Sequence, residues 1–215
     1  MAKMEDGLDV YARPYDPQTP VVCGAEKSKE LHAEVRPSIA AHCGQARKQD
    51  SEYHREGTAN IFLWVEPLAG RRGVKVTERR CNVDFAEVLR ALAEALYRTA
   101  KTIVLVGDNL NTQGPPCLYE RFAPAEARRL AQRFEWPYTP EPGSWLNIAE
   151  CELSVLARQC TNRRITSKPL LRDAVAAWQT TRTAHSTKIT WHFTTRESRI
   201  KLRHLYPQPS IETSS

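Results

Sequence analysis

The pattern of apolar and polar positions predicts a mixed α/β fold. Residues 58–66 and 74–77 are rich in β-branched and aromatic side chains and flank a Pro- and Gly-containing turn, which predicts a β-hairpin. The aliphatic run at residues 103–106 has no polar position, as is typical of a strand covered on both faces. A short strand is expected at 21–23, whereas the polar stretch 27–56 predicts a long loop.

Apolar residues at the helical period predict helices between and after these strands. One helix begins at Asn82, a candidate cap, and repeats its apolar positions as far as Leu96. Further helices are predicted at residues 124–134, 150–160 and 167–181, and from a capping box at Thr194 and Glu197 onward. This order of elements predicts one α/β domain of three layers, with helices on both faces of a mixed sheet.

Composition narrows the class of protein. The chain has 215 residues, of which 41% are hydrophobic and 26% charged, so we expect a soluble protein with one substantial core. No apolar run approaches the roughly 20 residues that span a bilayer, and the acidic N-terminus does not resemble a signal peptide. The expected location is therefore the cytoplasm or nucleoid. The six cysteines and six histidines show no zinc-binding spacing.

Positive charge is concentrated near the C-terminus. Residues 158–215 carry 11 Lys and Arg against 3 acids, whereas residues 1–157 carry 20 against 22. Such a surplus is typical of a nucleic-acid contact surface, although a solvated helical surface has the same signature. The candidate DNA-binding residues are Arg158, Arg163, Arg164, Lys168, Lys188, Arg199, Lys201 and Arg203.

Three acids are candidates for site chemistry. Asp108 follows the buried run 103–106 through Gly107, and sites in open α/β sheets form at the carboxyl ends of strands. The alternative is that Asp108 merely begins a turn. Glu150 and Glu152 flank the apolar stripe of their helix on opposite sides, so helical spacing alone does not choose between them.

Several motifs together resemble the catalytic core of bacterial insertion-sequence transposases related to mariner, the IS-six-thirty group of the DDE endonuclease superfamily. The principal segments are Leu-Val-Gly-Asp-Asn-Leu-Asn-Thr at 105–112, Tyr-Thr-Pro at 138–140 and Gly-Ser-Trp-Leu-Asn-Ile-Ala-Glu at 143–150. Further likeness lies at 57–60, 74–80, 152–156 and 193–195. The resemblance covers nearly the whole chain, from Met4 to Pro207.

The resemblance implies a ribonuclease-H-like fold and a DNA-cleaving, strand-transferring site. Family members hold Mg²⁺ or Mn²⁺ with two aspartates and a glutamate. In this chain the resemblance implies Asp108 as the second acid and Glu150 as the third, both as catalytic residues and metal ligands. Two ions roughly 3.5–4 Å apart would activate the nucleophile and stabilise the leaving oxygen. The implied partners are DNA, as element ends and target, and a homodimer or an intact transposase.

The chain departs from the family at the first acid. The family segment has the form V-x-C-x-D-E-K, whereas residues 21–27 are Val-Val-Cys-Gly-Ala-Glu-Lys, which places Ala25 where the aspartate stands. Glu26 is adjacent, but successive strand residues point to opposite faces, so Glu26 cannot substitute without a bulge. We therefore expect weakened metal binding and impaired or absent catalysis. The alternatives are a non-catalytic DNA- or partner-binding remnant and another ribonuclease-H-like nuclease.

The expected domain organisation has four parts. Residues 1–20 are a leader or linker, 21–160 the ribonuclease-H-like catalytic core, 161–207 a basic helical extension of the same domain, and 208–215 a disordered tail. The related transposases carry helix-turn-helix segments upstream of the core. Because only about twenty residues precede the first strand, we expect a truncated copy without sequence-specific recognition of element ends.

Overall fold

The sheet contains five strands. The computed structural model describes residues 1–46, 48, 50–107, 114–137 and 144–206. The strands are β1 (Val21–Glu34), β2 (Tyr53–Glu66), β3 (Arg71–Thr77), β4 (Ile103–Val106) and β5 (Phe134–Glu135), in the spatial order β3-β2-β1-β4-β5. β1 to β3 pair antiparallel, whereas β4 is parallel to β1 and β5 is parallel to β4. The predicted hairpin and mixed sheet are confirmed.

Helices cover both faces of this sheet. They are α1 (Ala2–Tyr11), α2 (Asn82–Ala91), α3 (Pro116–Arg121), α4 (Pro124–Ala131), α5 (Ile148–Leu156), α6 (Lys168–Ala184) and α7 (Thr195–Lys201). Wide π-helical turns extend α2 over Leu92–Leu96 and α5 over Ala157–Thr161. Short 3₁₀ turns lie at Ser144–Leu146 and Arg203–Leu205.

Two hydrophobic cores explain the continuous apolar run of β4. Val104 and Val106 pack in the core that holds α5 and α6, whereas Ile103 and Leu105 pack in the core that holds α2, α3 and α4. All four side chains of β4 are buried. The predicted three-layer α/β architecture is therefore confirmed. Within the described residues, no helix is long and apolar enough to cross a bilayer.

β1 and β2 are longer than the sequence predicted. They continue as a two-stranded ribbon in which Lys29 pairs with Ala59 and Glu34 with Tyr53, across part of the stretch expected to be a loop. Leu31 is buried in this ribbon, but most of its side chains are exposed or half-buried. Because neither face of the ribbon is fully covered, the sequence lacks the alternation that reveals a half-buried strand.

The N-terminal residues form a helix where a leader or linker was expected. Met4 and Leu8 of α1 are buried against Leu146, and the Glu5 carboxylate pairs with Arg199 of α7 at 2.8 Å. The helix has only ten residues and contains a central glycine, and isolated helices of this length are marginal in water. Tertiary contacts with the rest of the domain therefore stabilise α1.

Helix boundaries differ from the predictions in several places. α4 ends at Ala131, because Phe134 pairs with Ile103 as part of β5, and α3 was not predicted. Asn82 is the first residue of α2 and donates its amide to Glu120 instead of capping the helix. Leu96 is 51% exposed in the π-helical turn. The caps of α6 and α7 are confirmed, and the expected tail 208–215 lies outside the described residues.

A buried ion network joins α5, β3 and α6. Both carboxylate oxygens of Glu152 accept hydrogen bonds from Arg182 at 3.0 Å, and Arg72 Nε lies 3.0 Å from Glu152 Oε1 without hydrogen-bond alignment. Arg72 also donates to three main-chain carbonyl oxygens. Glu152 is therefore a structural residue that offsets two arginine charges inside the fold.

Glu152→Ala is expected to lower the free energy of unfolding by about 3–5 kcal/mol, because it leaves the buried Arg72 charge without its carboxylate. Urea unfolding followed by circular dichroism measures the change. The control is Cys151→Ser on the exposed side of the same helix, where we expect a change within about 0.5 kcal/mol. Equal stability of the two variants would show that the network does not stabilise the fold.

The contact between α1 and α7 is expected to depend on pH. Hydrogen bonds from Arg199 and Tyr206 lower the pKa of Glu5 to about 2. A depressed carboxyl pKa stabilises the folded state above the ordinary value of 4.5, and this contribution is lost as the pH falls towards 2. Because Arg199 is well exposed, we expect less than about 1 kcal/mol.

Thermal unfolding of the wild-type chain and of Glu5→Gln at a series of pH values tests this contact. The variant should be the less stable protein at pH 7, and the difference should shrink as the medium becomes acidic. A difference that stays constant between neutral and strongly acidic pH would contradict the assignment.

Candidate active site

Ala25 lies near the carboxyl end of β4. Cys23 of β1 pairs with Val106 of β4, and Ala25 lines the same apolar pocket as Gly107. Ala25 is 5% exposed and packs in the core that contains Ile148 and Ala149 of α5. The fold therefore brings Ala25 together with the last described residue before Asp108. Asp108 itself lies outside the described residues.

Asn147 fastens the first turn of α5 to β1. Its buried side chain accepts a hydrogen bond from Ala149 N at 3.0 Å and donates one to Gly24 O at 2.9 Å. Its main-chain oxygen accepts from Glu150 N at 3.0 Å. The same residue thus caps the helix and holds the half-buried Glu150 in a turn tied to the neighbour of Ala25.

Tyr11 of α1 supports this junction from outside the sheet. Its hydroxyl donates to Leu146 O at 2.7 Å and accepts from Ile148 N at 3.4 Å. Cys23 Sγ lies 3.6 Å from the same oxygen. Burial raises the pKa of Tyr11 well above its ordinary value and that of Cys23 to about 12. Both groups therefore stay neutral at physiological pH, and Cys23 is not a thiolate nucleophile.

Glu26 lies on the other face of β1. The pairing of β1 with β2 is continuous from Cys23 to Leu31, so no bulge turns Glu26 towards α5. The Glu26 carboxylate forms an ion pair with Arg80 and accepts a hydrogen bond from Asn60 Nδ2 at 3.3 Å. As strand alternation predicted, Glu26 points away from the face of β1 on which Ala25 lies.

A sequence profile of the DDE superfamily endonuclease family matches residues 20–172. The chain belongs to this family. Its fold is the ribonuclease-H-like fold of a transposase catalytic domain. Among similar solved structures, the mariner Mos1 paired end complex with Mg aligns with a TM-score of 0.54 and 17% identity over 88% of this chain and 55% of that chain.

The Mos1 strand transfer complex aligns with a TM-score of 0.50 and 16% identity over 83% of this chain and 54% of that chain. The chain thus spans about half the length of these structural relatives. The comparison with curated proteins gives no match. The family and the fold are established by these findings.

Residue 25, the position at which the first acid of a DDE site is expected, carries no metal ligand. Hard divalent cations bind oxygen ligands, and Ala25 offers only a methyl group. Among the residues that the structure describes, no three His, Cys, Asp or Glu side chains are grouped to hold a metal ion. Glu152 is committed to its arginine partners, so it supplies no replacement. Neither Ala25 nor Glu152 therefore offers a free ligand for a metal ion.

Some of the eight candidate DNA-binding residues already form ion pairs or hydrogen bonds within the protein, and others do not. Arg199, Lys168 and Lys201 form ion pairs with Glu5, Glu78 and Glu197, respectively. Arg158 donates to Ser154, and Arg164 donates to Ser51 O. Within the described ranges, Arg163, Lys188 and Arg203 are exposed and have no acidic partner. Part of the basic excess therefore belongs to a solvated, internally paired helical surface.

Sequence analysis missed the residues that position the DDE site. Tyr11 follows Met4 and Leu8 at the helical spacing i, i+4 and i+7, a signal that the prolines after it obscured. Asn147 stands directly before the apolar stripe of α5, as a cap should. Its second contact, to Gly24, has no signal in the sequence because it joins residues 123 positions apart.

Asn147→Ala is expected to destabilise the domain by about 1–3 kcal/mol, because both the helix cap and a buried hydrogen bond disappear. Urea unfolding measures the loss, and hydrogen exchange should show the first turn of α5 opening more often. The control is Asn162→Ala at an exposed position. Unchanged stability and unchanged exchange in α5 would refute the tether.

Proposed function

We propose that the chain is the catalytic domain of a DDE transposase of the bacterial insertion-sequence group related to mariner, with impaired DNA cleavage and strand transfer. The observation that carries this proposal is Ala25. It occupies the strand position beside β4 and α5 where the related segment has its first aspartate. A methyl group there removes one of three carboxylates from the proposed metal site.

Asp108 and Glu150 are the remaining proposed ligands and catalytic acids. Support for Glu150 comes from its helix, whose first turn is fastened to Gly24 through Asn147. Support for Asp108 comes from its place after the buried strand β4 and Gly107. Mg²⁺ or Mn²⁺ is the proposed cofactor, and two carboxylates should hold it more weakly than three.

DNA is the proposed partner. The Mos1 structures are a strand transfer complex and a paired end complex with Mg, and the same architecture in this chain supports binding to element ends and target DNA. Exposed basic residues such as Arg163, Lys188 and Arg203 would supply sequence-independent, salt-sensitive attraction to phosphates. Assembly as a homodimer, or pairing with an intact transposase, belongs to the same proposal.

The second candidate is a non-catalytic module that binds DNA or an intact transposase. The combination of Ala25 with exposed basic residues favours it, because phosphate contacts do not require the metal site. The two candidates make different predictions for the same protein. Salt-dependent DNA binding without any metal-dependent cleavage supports the module, whereas weak cleavage supports the impaired enzyme.

Ala25→Asp is expected to create metal-dependent stability. Without metal, the new buried carboxylate should lower the melting temperature. Mg²⁺ or Mn²⁺ should restore it, because a ligand that binds only the folded state stabilises it. We expect metal binding by calorimetry to tighten roughly tenfold relative to the wild-type chain, equivalent to about 1.4 kcal/mol.

Ala25→Asn is the matched control, because it has nearly the same shape without the negative charge. It should lose stability without metal and recover little when Mg²⁺ is added. If Ala25→Asp and Ala25→Asn respond identically to both cations, position 25 is not the first ligand position.

A further inference from the structure

Trp145 is an exposed aromatic residue next to the proposed active site. It lies in the 3₁₀ turn Ser144–Leu146, immediately before the helix that carries Glu150, and 48% of its surface is exposed. Its neighbour Leu146 is 1% exposed and accepts the hydrogen bond from Tyr11. The backbone that carries Trp145 is therefore anchored at Leu146, although the ring meets solvent.

Phe193 supports the Trp145 ring from the side. The two ring centroids are 5.8 Å apart at an interplanar angle of 64°, an edge-to-face arrangement. Phe193 packs in turn against the small core formed by Met4, Leu8 and Leu146. An edge contact of this kind restrains the ring and leaves one aromatic surface accessible.

A basic side chain lies beside this aromatic pair. Lys201 Nζ lies 5.5 Å from the centroid of Phe193. Residues 188–206, which include Phe193, contain five basic residues and one acid. Arg199 and Lys201 are ion-paired with Glu5 and Glu197, whereas Lys188 and Arg203 are exposed. Exposed aromatic rings in a basic setting are the combination with which proteins bind single-stranded nucleic acid, because bases stack on the rings while cations attract the phosphates.

We propose that Trp145, supported by Phe193, stacks on an unpaired DNA base beside the active site and so positions a single-stranded DNA end. This inference rests on the proposed function, since it requires DNA at the site. An unpaired base is the expected occupant because its face is open for stacking. A base inside a duplex must first be unstacked, at a cost of a few kcal/mol.

The test measures DNA binding of the whole chain by fluorescence anisotropy in EDTA, with a blunt duplex and the same duplex bearing a short single-stranded overhang. The wild-type chain should bind the overhang DNA more tightly than the blunt DNA. Trp145→Ala should weaken overhang binding by roughly 5- to 150-fold and leave blunt-duplex binding unchanged. Trp145→Phe, which keeps an aromatic face, should retain part of the preference.

Tyr15→Ala is the matched control. Tyr15 is 49% exposed, nearly the same as Trp145, but lines a pocket with Pro20, directly before the amino end of β1. This variant should bind both DNAs like the wild-type chain.

Two contrary results have different meanings. Salt-dependent binding of both DNAs, with no effect specific to Trp145, overturns the stacking inference and leaves the proposed function standing. If the wild-type chain binds neither DNA at low salt, the proposed DNA-binding function fails, and the stacking inference fails with it.

Discussion

The hydrogen bond from Asn147 to Gly24 is the contact on which the proposed site most depends. It joins the start of α5 to the first part of the central strand β1, across 123 positions of sequence. The same side chain caps the helix through Ala149 N. A single buried amide therefore fixes both where α5 begins and which part of β1 it faces. Glu150, one turn into the helix, takes its place from this connection.

Further contacts stabilise the junction between α5 and β1. Tyr11 bonds to the residues on either side of Asn147, and α1 is held there by the burial of Met4 and Leu8 against Leu146 and by the pairing of Glu5 with Arg199 of α7. On the far side of α5, Glu152 joins Arg72 and Arg182 in a buried network. The first and last helices and the edge strand β3 thus all stabilise the position of one helix. This framework is intact in a chain that has alanine at position 25.

The sequence pattern correctly predicted the elements that depend on burial of a whole strand or on contacts between residues close in sequence. β4 is buried on both faces, so its apolar run was unambiguous, and the caps of α6 and α7 use side chains close in sequence. The predictions failed where tertiary contacts decide the structure. The ribbon formed by β1 and β2 has no fully covered face, and α1 is stabilised by residues almost the whole chain away.

In the candidate site, too, local features were predictable from the sequence, whereas those that depend on tertiary contacts were not. Strand alternation correctly placed Ala25 and Glu26 on opposite faces of β1, because that property is local. The choice between Glu150 and Glu152 was not accessible to helical spacing. In the structure Glu152 is buried between arginines that come from a strand and another helix, whereas Glu150 is half-buried. Neither arginine partner could be identified from the sequence of α5.

We propose that a DDE fold with Ala25 at the position of the first acid cleaves DNA only weakly in the presence of a divalent metal ion. The most direct measurement is nicking of supercoiled plasmid DNA by the wild-type chain in Mg²⁺ and in Mn²⁺, with EDTA as the blank. We expect weak cleavage that exceeds the EDTA blank but stays far below that of Ala25→Asp, with DNA binding retained at low salt. Robust cleavage in either cation that disappears in Asp108→Ala would contradict it.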